Sequence, residues 1–186
     1  MMHMSGDNSH TKVKKIVLLG LDNAGKSSIL LSLTSDTNLM SYYSLKPTLG
    51  IETEEINEEN KVFKIWEFGG QKQFRKDYLD KLDKYLMGTD KIIYVIDIQD
   101  INRYDIALEY LKSIGDFLLE NELKIDFTIF LHKFDPRLES KDDFKDSVIQ
   151  SKIIDKIKEI FSKNYSIKIF KTTIYTIFEK KIFSIL

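Results

Sequence analysis

The segment from Gly20 to Ser27 has the residue types and spacing that hold a chain of phosphates. It fits the pattern G-x-x-x-x-G-K-[ST], with an apolar stretch before it and a helix-forming stretch after it. In such a loop, backbone N–H groups and the positive end of the next helix enclose phosphate oxygens. Lys26 would neutralise the β- and γ-phosphates, and the Ser27 hydroxyl would bind magnesium. A chance match is the alternative, and the strand-to-helix context argues against it. The other residues expected to bind the phosphates are Asp22, Asn23, Ala24, Gly25 and Ser28.

Apolar periodicity places this loop in an alternation of strands and helices. Strands are predicted at residues 14–19, 51–56, 62–68, 92–98, 127–131 and 167–170. Helices are predicted at residues 27–33, 74–86, 107–118, 149–161 and 177–186. A turn at 57–60 would make the second and third strands antiparallel. The pattern predicts one α/β domain over residues 13–186, with residues 1–12 as a flexible arm. Its mostly parallel six-stranded sheet has one antiparallel strand and helices on both faces, and it binds ligands beyond the carboxyl ends of its strands.

Several further motifs give the chain a resemblance to small GTPases. Three segments resemble those of Arf-family proteins. They are residues 20–28, Lys46-Pro47-Thr48-Leu49-Gly50 and Trp66-Glu67-Phe68-Gly69-Gly70-Gln71. The later segments 93–97, 132–135 and 172–175 are more similar to Rag GTPases. The chain is therefore identified as a member of the Arf- and Rag-related group of Ras-like P-loop GTPases, with the subfamily left open. The resemblance implies GTP or GDP and Mg²⁺ as ligands, slow GTP hydrolysis, and control by activator and exchange proteins.

The same resemblance assigns the hydrolytic chemistry to two loops. Thr48 would give its hydroxyl to magnesium and its backbone N–H to the γ-phosphate, although an ordinary loop threonine is the alternative. Gly70 would give a backbone N–H to the γ-phosphate, and Gln71 would orient the attacking water. With Lys26, these two residues form the expected catalytic set.

Glu67 departs from the family pattern, in which an aspartate holds magnesium through a water. The additional methylene moves the carboxylate by roughly an ångström or more. Because magnesium demands near-ideal octahedral geometry, either the backbone adjusts or metal affinity and turnover fall. The expected metal site is therefore Ser27, Thr48 and, through a water, Glu67. Arf proteins also have an aspartate at the position of Asp22, and this resemblance implies slow intrinsic GTP hydrolysis.

Guanine would be recognised by two later loops. The Asp135 carboxylate can accept two hydrogen bonds, from N1 and the exocyclic N2 of guanine, a pair that adenine lacks. Lys133 would lay its alkyl stem over the base. His132 replaces the usual asparagine and can still donate a ring N–H, with a surface-capping histidine as the alternative. Thr172 and Thr173 would offer backbone N–H groups to the base oxygen.

Partner proteins are expected to contact the regions around Thr48 and Gln71. Trp66, Phe74 and Tyr78 could form an exposed aromatic patch for an effector, and core packing is the alternative. An acidic run at residues 52–59 could also contact effectors, or be an ordinary solvated face.

Composition excludes several other classes of protein. A net charge of −1 gives no electrostatic case for nucleic acid, and no apolar run approaches the roughly 20 residues of a membrane helix. The polar N-terminus favours a cytoplasmic location. Met2 and the absence of cysteine argue against a lipid anchor. The Rag resemblance allows dimerisation. Two other functions stay open: a scaffold with permanently bound nucleotide, and an ATP-dependent phosphotransferase. A phosphotransferase that uses ATP would not need Asp135, which is expected to recognise guanine.

Overall fold

The computed structural model describes residues 12–33, 38–58, 60–161 and 165–175. Six strands in this part of the chain form one sheet in the order β2-β3-β1-β4-β5-β6. They are β1 (Lys12–Gly20), β2 (Ile51–Glu58), β3 (Lys61–Phe68), β4 (Lys91–Asp97), β5 (Asp126–His132) and β6 (Ile167–Lys171). β2 pairs antiparallel with β3, and the other neighbours pair parallel. The expected sheet with one antiparallel strand is confirmed.

The helices of the described residues connect these strands. The α-helices are α1 (Lys26–Ser32), α2 (Leu39–Tyr43), α3 (Lys72–Leu79), α4 (Leu82–Leu86), α5 (Tyr104–Glu120), α6 (Asp146–Ile149) and α7 (Asp155–Ile160). A π-helical turn at Gln150–Ile154 joins α6 to α7, and short 3-10 helices lie at Ile101–Arg103, Leu138–Ser140 and Asp142–Phe144. None of these helices combines the length and apolar composition that crossing a bilayer requires.

The structure differs from the predicted elements most clearly in three places. The helix expected at 74–86 is two helices, because the chain leaves helical geometry at Lys81 (φ −132°, ψ 24°). The short helix α2 is absent from the prediction, since it has no buried face that would give an apolar period. Lys12, expected in the arm, begins β1. The rest of the arm and the helix expected at 177–186 lie outside the described residues.

Two apolar clusters cover the two faces of the sheet. Alternation along β1 sends Val17 and Leu19 to the larger cluster, which includes α3 to α7. Leu18 instead packs with Leu30 of α1 in the smaller cluster. Helices therefore lie on both faces, as the alternating pattern predicts.

The parallel strands bring the ends of four elements to one edge. In the pairing register, Leu18 lies opposite Glu67, Gly20 opposite Val95, and Asp97 opposite His132. The loops after β1, β3, β4 and β5 consequently meet beyond the carboxyl ends of the strands, where open α/β sheets bind ligands.

Candidate functional site

A cavity of about 280 Å³ opens at this edge of the sheet. Its lining comes from the loop after β1 and the start of α1, from the segment before β2, and from the end of β3 with the residues that follow it. The lining residues are Asp22, Asn23, Gly25, Lys26, Ser27, Ser28, Leu45, Lys46, Pro47, Thr48, Glu67, Gly70 and Gln71. The structure thus brings together the predicted phosphate, metal and water-orienting residues. Ala24 lies behind the loop, in the smaller apolar cluster.

Lys26 lies beneath the phosphate loop with its side chain pointing along it. Its ammonium donates to the carbonyls of Leu21 (2.7 Å) and Gly20 (3.2 Å), and the residue is only 5% exposed. Burial lowers the pKa of Lys26 to about 8, although the nearby carboxylates of Glu67 and Asp22 oppose this shift. The site therefore holds a poorly solvated cation, which favours an anionic ligand.

The buried charge of Lys26 predicts a pH-dependent stability. Its pKa is lower in the folded protein than in the unfolded chain, so the unfolded state binds more protons between about pH 8 and 10.5. Without nucleotide, the wild type should gain roughly 2–3 kcal/mol of unfolding free energy relative to Lys26→Met from pH 7 to pH 10. Urea unfolding at both pH values measures the gain, with exposed Lys84→Met as control. If the difference in unfolding free energy between the wild type and Lys26→Met is the same at both pH values, the lowered pKa of Lys26 is contradicted.

Three oxygen atoms converge beside Lys26. The Ser27 hydroxyl lies 2.6 Å from Glu67 Oε1, the Thr48 hydroxyl lies 3.1 Å from the same atom, and the two hydroxyls are 3.2 Å apart. Glu67 and Thr48 are buried. An all-oxygen set with one carboxylate suits a hard cation such as Mg²⁺, so these residues fit the expected metal. The longer side chain of Glu67 accepts the protons of both hydroxyls.

The end of β3 packs closely on the phosphate loop and on the segment before β2. A Cβ at Gly70 would overlap the backbone between Leu21 and Asp22, so only glycine fits there. Gly50 O accepts hydrogen bonds from the Gly69 N–H (2.8 Å) and the Tyr78 hydroxyl (2.7 Å). Thr48 and Gln71 therefore lie on segments that are hydrogen-bonded to each other.

The prediction that Tyr78 belongs to an exposed aromatic patch is wrong. That side chain is buried, its ring lies edge-on to Phe68 at 4.8 Å, and its hydroxyl is bonded to Gly50. Trp66 and Phe74 are half-buried against the core. Large apolar side chains are instead exposed around Thr48, at Met40 (71%), Tyr43 (76%) and Leu49 (68%).

His132 joins the phosphate loop to the last of the expected base-recognition loops. Its ring leaves no room for a Cβ at Gly25, and its Nδ1 lies 2.9 Å from the Thr172 hydroxyl. Burial, with a smaller contribution from Lys133, lowers the pKa of His132 and favours the neutral ring. The surface-capping interpretation is wrong, since the side chain is buried.

Lys133 and Asp135 continue this junction. The Lys133 ammonium donates to Asn23 O and to Asp97 Oδ2, each at 2.7 Å. The half-buried Asp135 accepts from Thr173 Oγ1 at 2.6 Å. The five residues expected to recognise guanine thus lie together and are tied to the phosphate loop. None of them is among the described residues that line the cavity.

Asp97, Gln99 and Arg103 belong to this site but are missing from the predicted set. Arg103 donates to the side chain (3.1 Å) and the backbone carbonyl (3.2 Å) of Asp22. Asp97 could have been noticed, because it ends a strand at the ligand edge. Gln99 follows it in a turn and Arg103 ends a short 3-10 helix (Ile101–Arg103), and neither belongs to a recognisable motif.

The profile of the ADP-ribosylation factor family matches residues 2–179 of the chain. This chain belongs to the ADP-ribosylation factor (Arf) family. Family membership carries with it the expectation of guanine nucleotide binding, and it agrees with the phosphate loop and the buried Lys26.

Individual Arf proteins are similar over part of the chain. ADP-ribosylation factor-like protein 5 of Caenorhabditis elegans is 38% identical over 102 residues, which are 55% of this chain and 53% of that protein. ADP-ribosylation factor 3 of Arabidopsis thaliana is 36% identical over 113 residues, 61% of this chain and 56% of that protein. The matched segment thus spans little more than half the length of these two relatives. ADP-ribosylation factor-like protein 1 of C. elegans is 30% identical over 159 residues, 86% of this chain and 78% of that protein.

The fold is also that of a solved Arf-like structure. The Arl6 (BBS3) small GTPase of Trypanosoma brucei, solved with the nucleotide analogue GppNp, superposes with a TM-score of 0.63 over 87% of each chain. At 20% sequence identity this likeness shows the fold alone. These matches lend no support to the Rag resemblance of the later motifs, which stays a prediction.

Proposed function

We propose that this Arf-family chain is a switch that binds GTP or GDP with magnesium and hydrolyses GTP slowly. One observation carries the proposal: Lys26, Ser27, Thr48, Glu67 and Gln71 meet at one cavity on the ligand edge of the sheet. The first four supply a cation and an all-oxygen metal site, and the fifth supplies an amide that can orient a water.

At the phosphate end, the residues stabilise negative charge. Lys26 offers a buried ammonium to the β- and γ-phosphates, where a poorly solvated site strengthens the attraction. Ser27, Thr48 and Glu67 would hold the magnesium ion, which supplies further positive charge for the phosphate oxygens. Gln71 lines the same cavity and orients the attacking water, and the backbone N–H of Gly70 binds the γ-phosphate.

At the base end, the residues select guanine. Asp135 accepts from the paired donors N1 and N2, the stem of Lys133 covers the ring, and neutral His132 holds the loop of Thr172 against the phosphate loop. Thr173 steadies the carboxylate of Asp135 through its hydroxyl. A base without both donors would leave this carboxylate partly unpaired, which is costly.

Partner proteins bind around Thr48 in this proposal. Met40, Tyr43 and Leu49 expose apolar surface on the segment that carries Thr48. Because this segment is tied to the Gln71 segment through Gly50, loss of the γ-phosphate at Thr48 would change the surface that an effector contacts. Activator and exchange proteins in the cytoplasm would set the balance between the two forms.

The test of the proposal is single-turnover hydrolysis of bound GTP. Gln71→Leu should slow it at least about tenfold while GTP affinity stays near the wild-type value, because the glutamine acts as the water attacks. Gln150→Leu is the matched control, since this partly exposed glutamine lies in the π-helical turn and does not line the cavity. If Gln71→Leu and the wild type both fail to cleave GTP measurably, the scaffold function replaces the switch.

Glu67→Asp should weaken the metal site. The shorter side chain withdraws from at least one of the two hydroxyls that Glu67 now contacts. We expect the magnesium concentration needed for half-maximal nucleotide retention to rise about tenfold or more. Titration of nucleotide dissociation with magnesium measures it, with exposed Glu55→Asp as control. Tighter magnesium binding in Glu67→Asp would show that the additional methylene impairs the site.

A further inference from the structure

The end of β4 fixes the backbone of Gln99 next to the base-recognition loop. Asp97 Oδ1 accepts a hydrogen bond from the Gln99 backbone N–H at 2.9 Å, and Asp97 Oδ2 accepts from Lys133 Nζ at 2.7 Å. The Asp97 side chain is largely buried and ends a strand of the central sheet. Gln99 therefore projects from a rigid support.

The amide of Gln99 uses both of its N–H groups on the loop that carries Asp135. Its Nε2 donates to Lys133 O at 2.7 Å and to Asp135 Oδ2 at 2.8 Å. Thr173 Oγ1 donates to the other carboxylate oxygen, Asp135 Oδ1, at 2.6 Å. The carboxylate is consequently held from both sides by neutral donors that come from two different loops.

We propose that Gln99 is a positioning residue for guanine recognition, acting by fixing the plane of the Asp135 carboxylate. This inference rests on the proposed function. The torsion that turns an aspartate carboxylate is soft, so its plane must be fixed by contacts. Each carboxylate oxygen has two lone pairs, and one on each oxygen stays available for the paired donors of guanine. Bidentate recognition needs both carboxylate oxygens in fixed positions. Gln99 holds one of them and Thr173 holds the other.

The surroundings of Gln99 separate this role from a structural one. Its side chain is exposed, and the amide contacts described above all lead to the Lys133–Asp135 loop. Removing the amide should therefore leave the core and the unfolding temperature nearly unchanged, while the carboxylate gains freedom to rotate. The loss of nucleotide affinity should be largest for a base that donates to both oxygens of the Asp135 carboxylate.

The test compares GDP with IDP, whose base lacks the exocyclic N2 donor. Gln99→Ala should weaken GDP binding about tenfold and IDP binding less, so that the GDP-to-IDP affinity ratio falls. Gln99→Glu keeps the shape but removes the donor and adds charge repulsion, and should weaken GDP at least as much. Gln73→Ala is the control, and thermal unfolding without nucleotide should be the same in all four proteins.

Each other outcome has a definite meaning. An unchanged GDP affinity and GDP-to-IDP ratio in Gln99→Ala would overturn the proposal. Tighter GDP binding in Gln99→Ala would also overturn it, because the amide would then compete with guanine for Asp135. Wild-type protein that binds ADP as tightly as GDP would overturn the proposed function and this inference with it, an outcome distinct from the first two.

Discussion

Lys26→Ala should lower the affinity for GTP and GDP by about a hundredfold or more. The change removes a cation that is buried beneath the phosphate loop, where water cannot take its place in neutralising phosphate oxygens. Titration with a fluorescent guanine nucleotide measures the loss. Lys84→Ala, which removes an exposed lysine from α4, should bind like the wild type.

An unchanged GTP affinity in Lys26→Ala would mean that the loop from Gly20 to Ser27 does not bind phosphate. The cavity at the sheet edge would then need another ligand. Normal unfolding behaviour of the variant without nucleotide would exclude misfolding as the cause of any loss.

Asp135→Asn should convert the preference from guanine to xanthine nucleotides. In the proposed recognition, the carboxylate would accept hydrogen bonds from two donors of guanine. The asparagine amide offers one acceptor and one donor instead, and xanthine has an oxygen in place of the exocyclic N2. We expect GTP affinity to fall at least about a hundredfold and XTP affinity to rise. Competition of GTP, XTP and ATP against a fluorescent guanine nucleotide measures both effects.

The matched control for this change is Asp116→Asn, on the exposed face of α5. Wild-type protein with equal affinity for ATP and GTP would contradict the assignment of Asp135 as the base-selecting residue. A variant that loses GTP without gaining XTP would limit Asp135 to a structural role in its loop.

The local features of the fold could be predicted from the sequence. The phosphate loop has a fixed spacing, and the buried strands are short apolar runs, so both follow from residues close in the chain. The predicted strands agree with the structure to within a few residues. The mostly parallel order follows from the alternation of strands and helices.

Contacts between distant residues could not be predicted in this way. Arg103 meets Asp22 across 81 positions, and Gln99 meets Asp135 across 36. Neither belongs to a motif, and their roles depend on which strand ends lie side by side. Tyr78 has the helical spacing of a core residue, but its hydrogen bond to Gly50 depends on how α3 docks.

Glu67 departs from the family pattern, and its contacts in the folded protein could not be derived from the sequence. From the sequence, the additional methylene leaves two outcomes, an adjusted site or a weakened one. In the folded protein the carboxylate reaches both the Ser27 and the Thr48 hydroxyls. The side chain is therefore used at full length, which the sequence alone could not decide.

The most direct test of the switch is to follow GTP cleavage and conformation together. Trp66 is the chain's single tryptophan, it precedes Glu67, and Lys15 Nζ lies 4.3 Å from its ring. Because Trp66 lies on β3 and packs against the larger cluster, its fluorescence should report movement of the strand that carries Glu67. For protein loaded with GTP and magnesium, we expect phosphate release and the Trp66 signal to change with one common rate constant, and both to slow in Gln71→Leu. Loaded protein that releases no phosphate, with the same Trp66 fluorescence in its GTP and GDP forms, would contradict the switch.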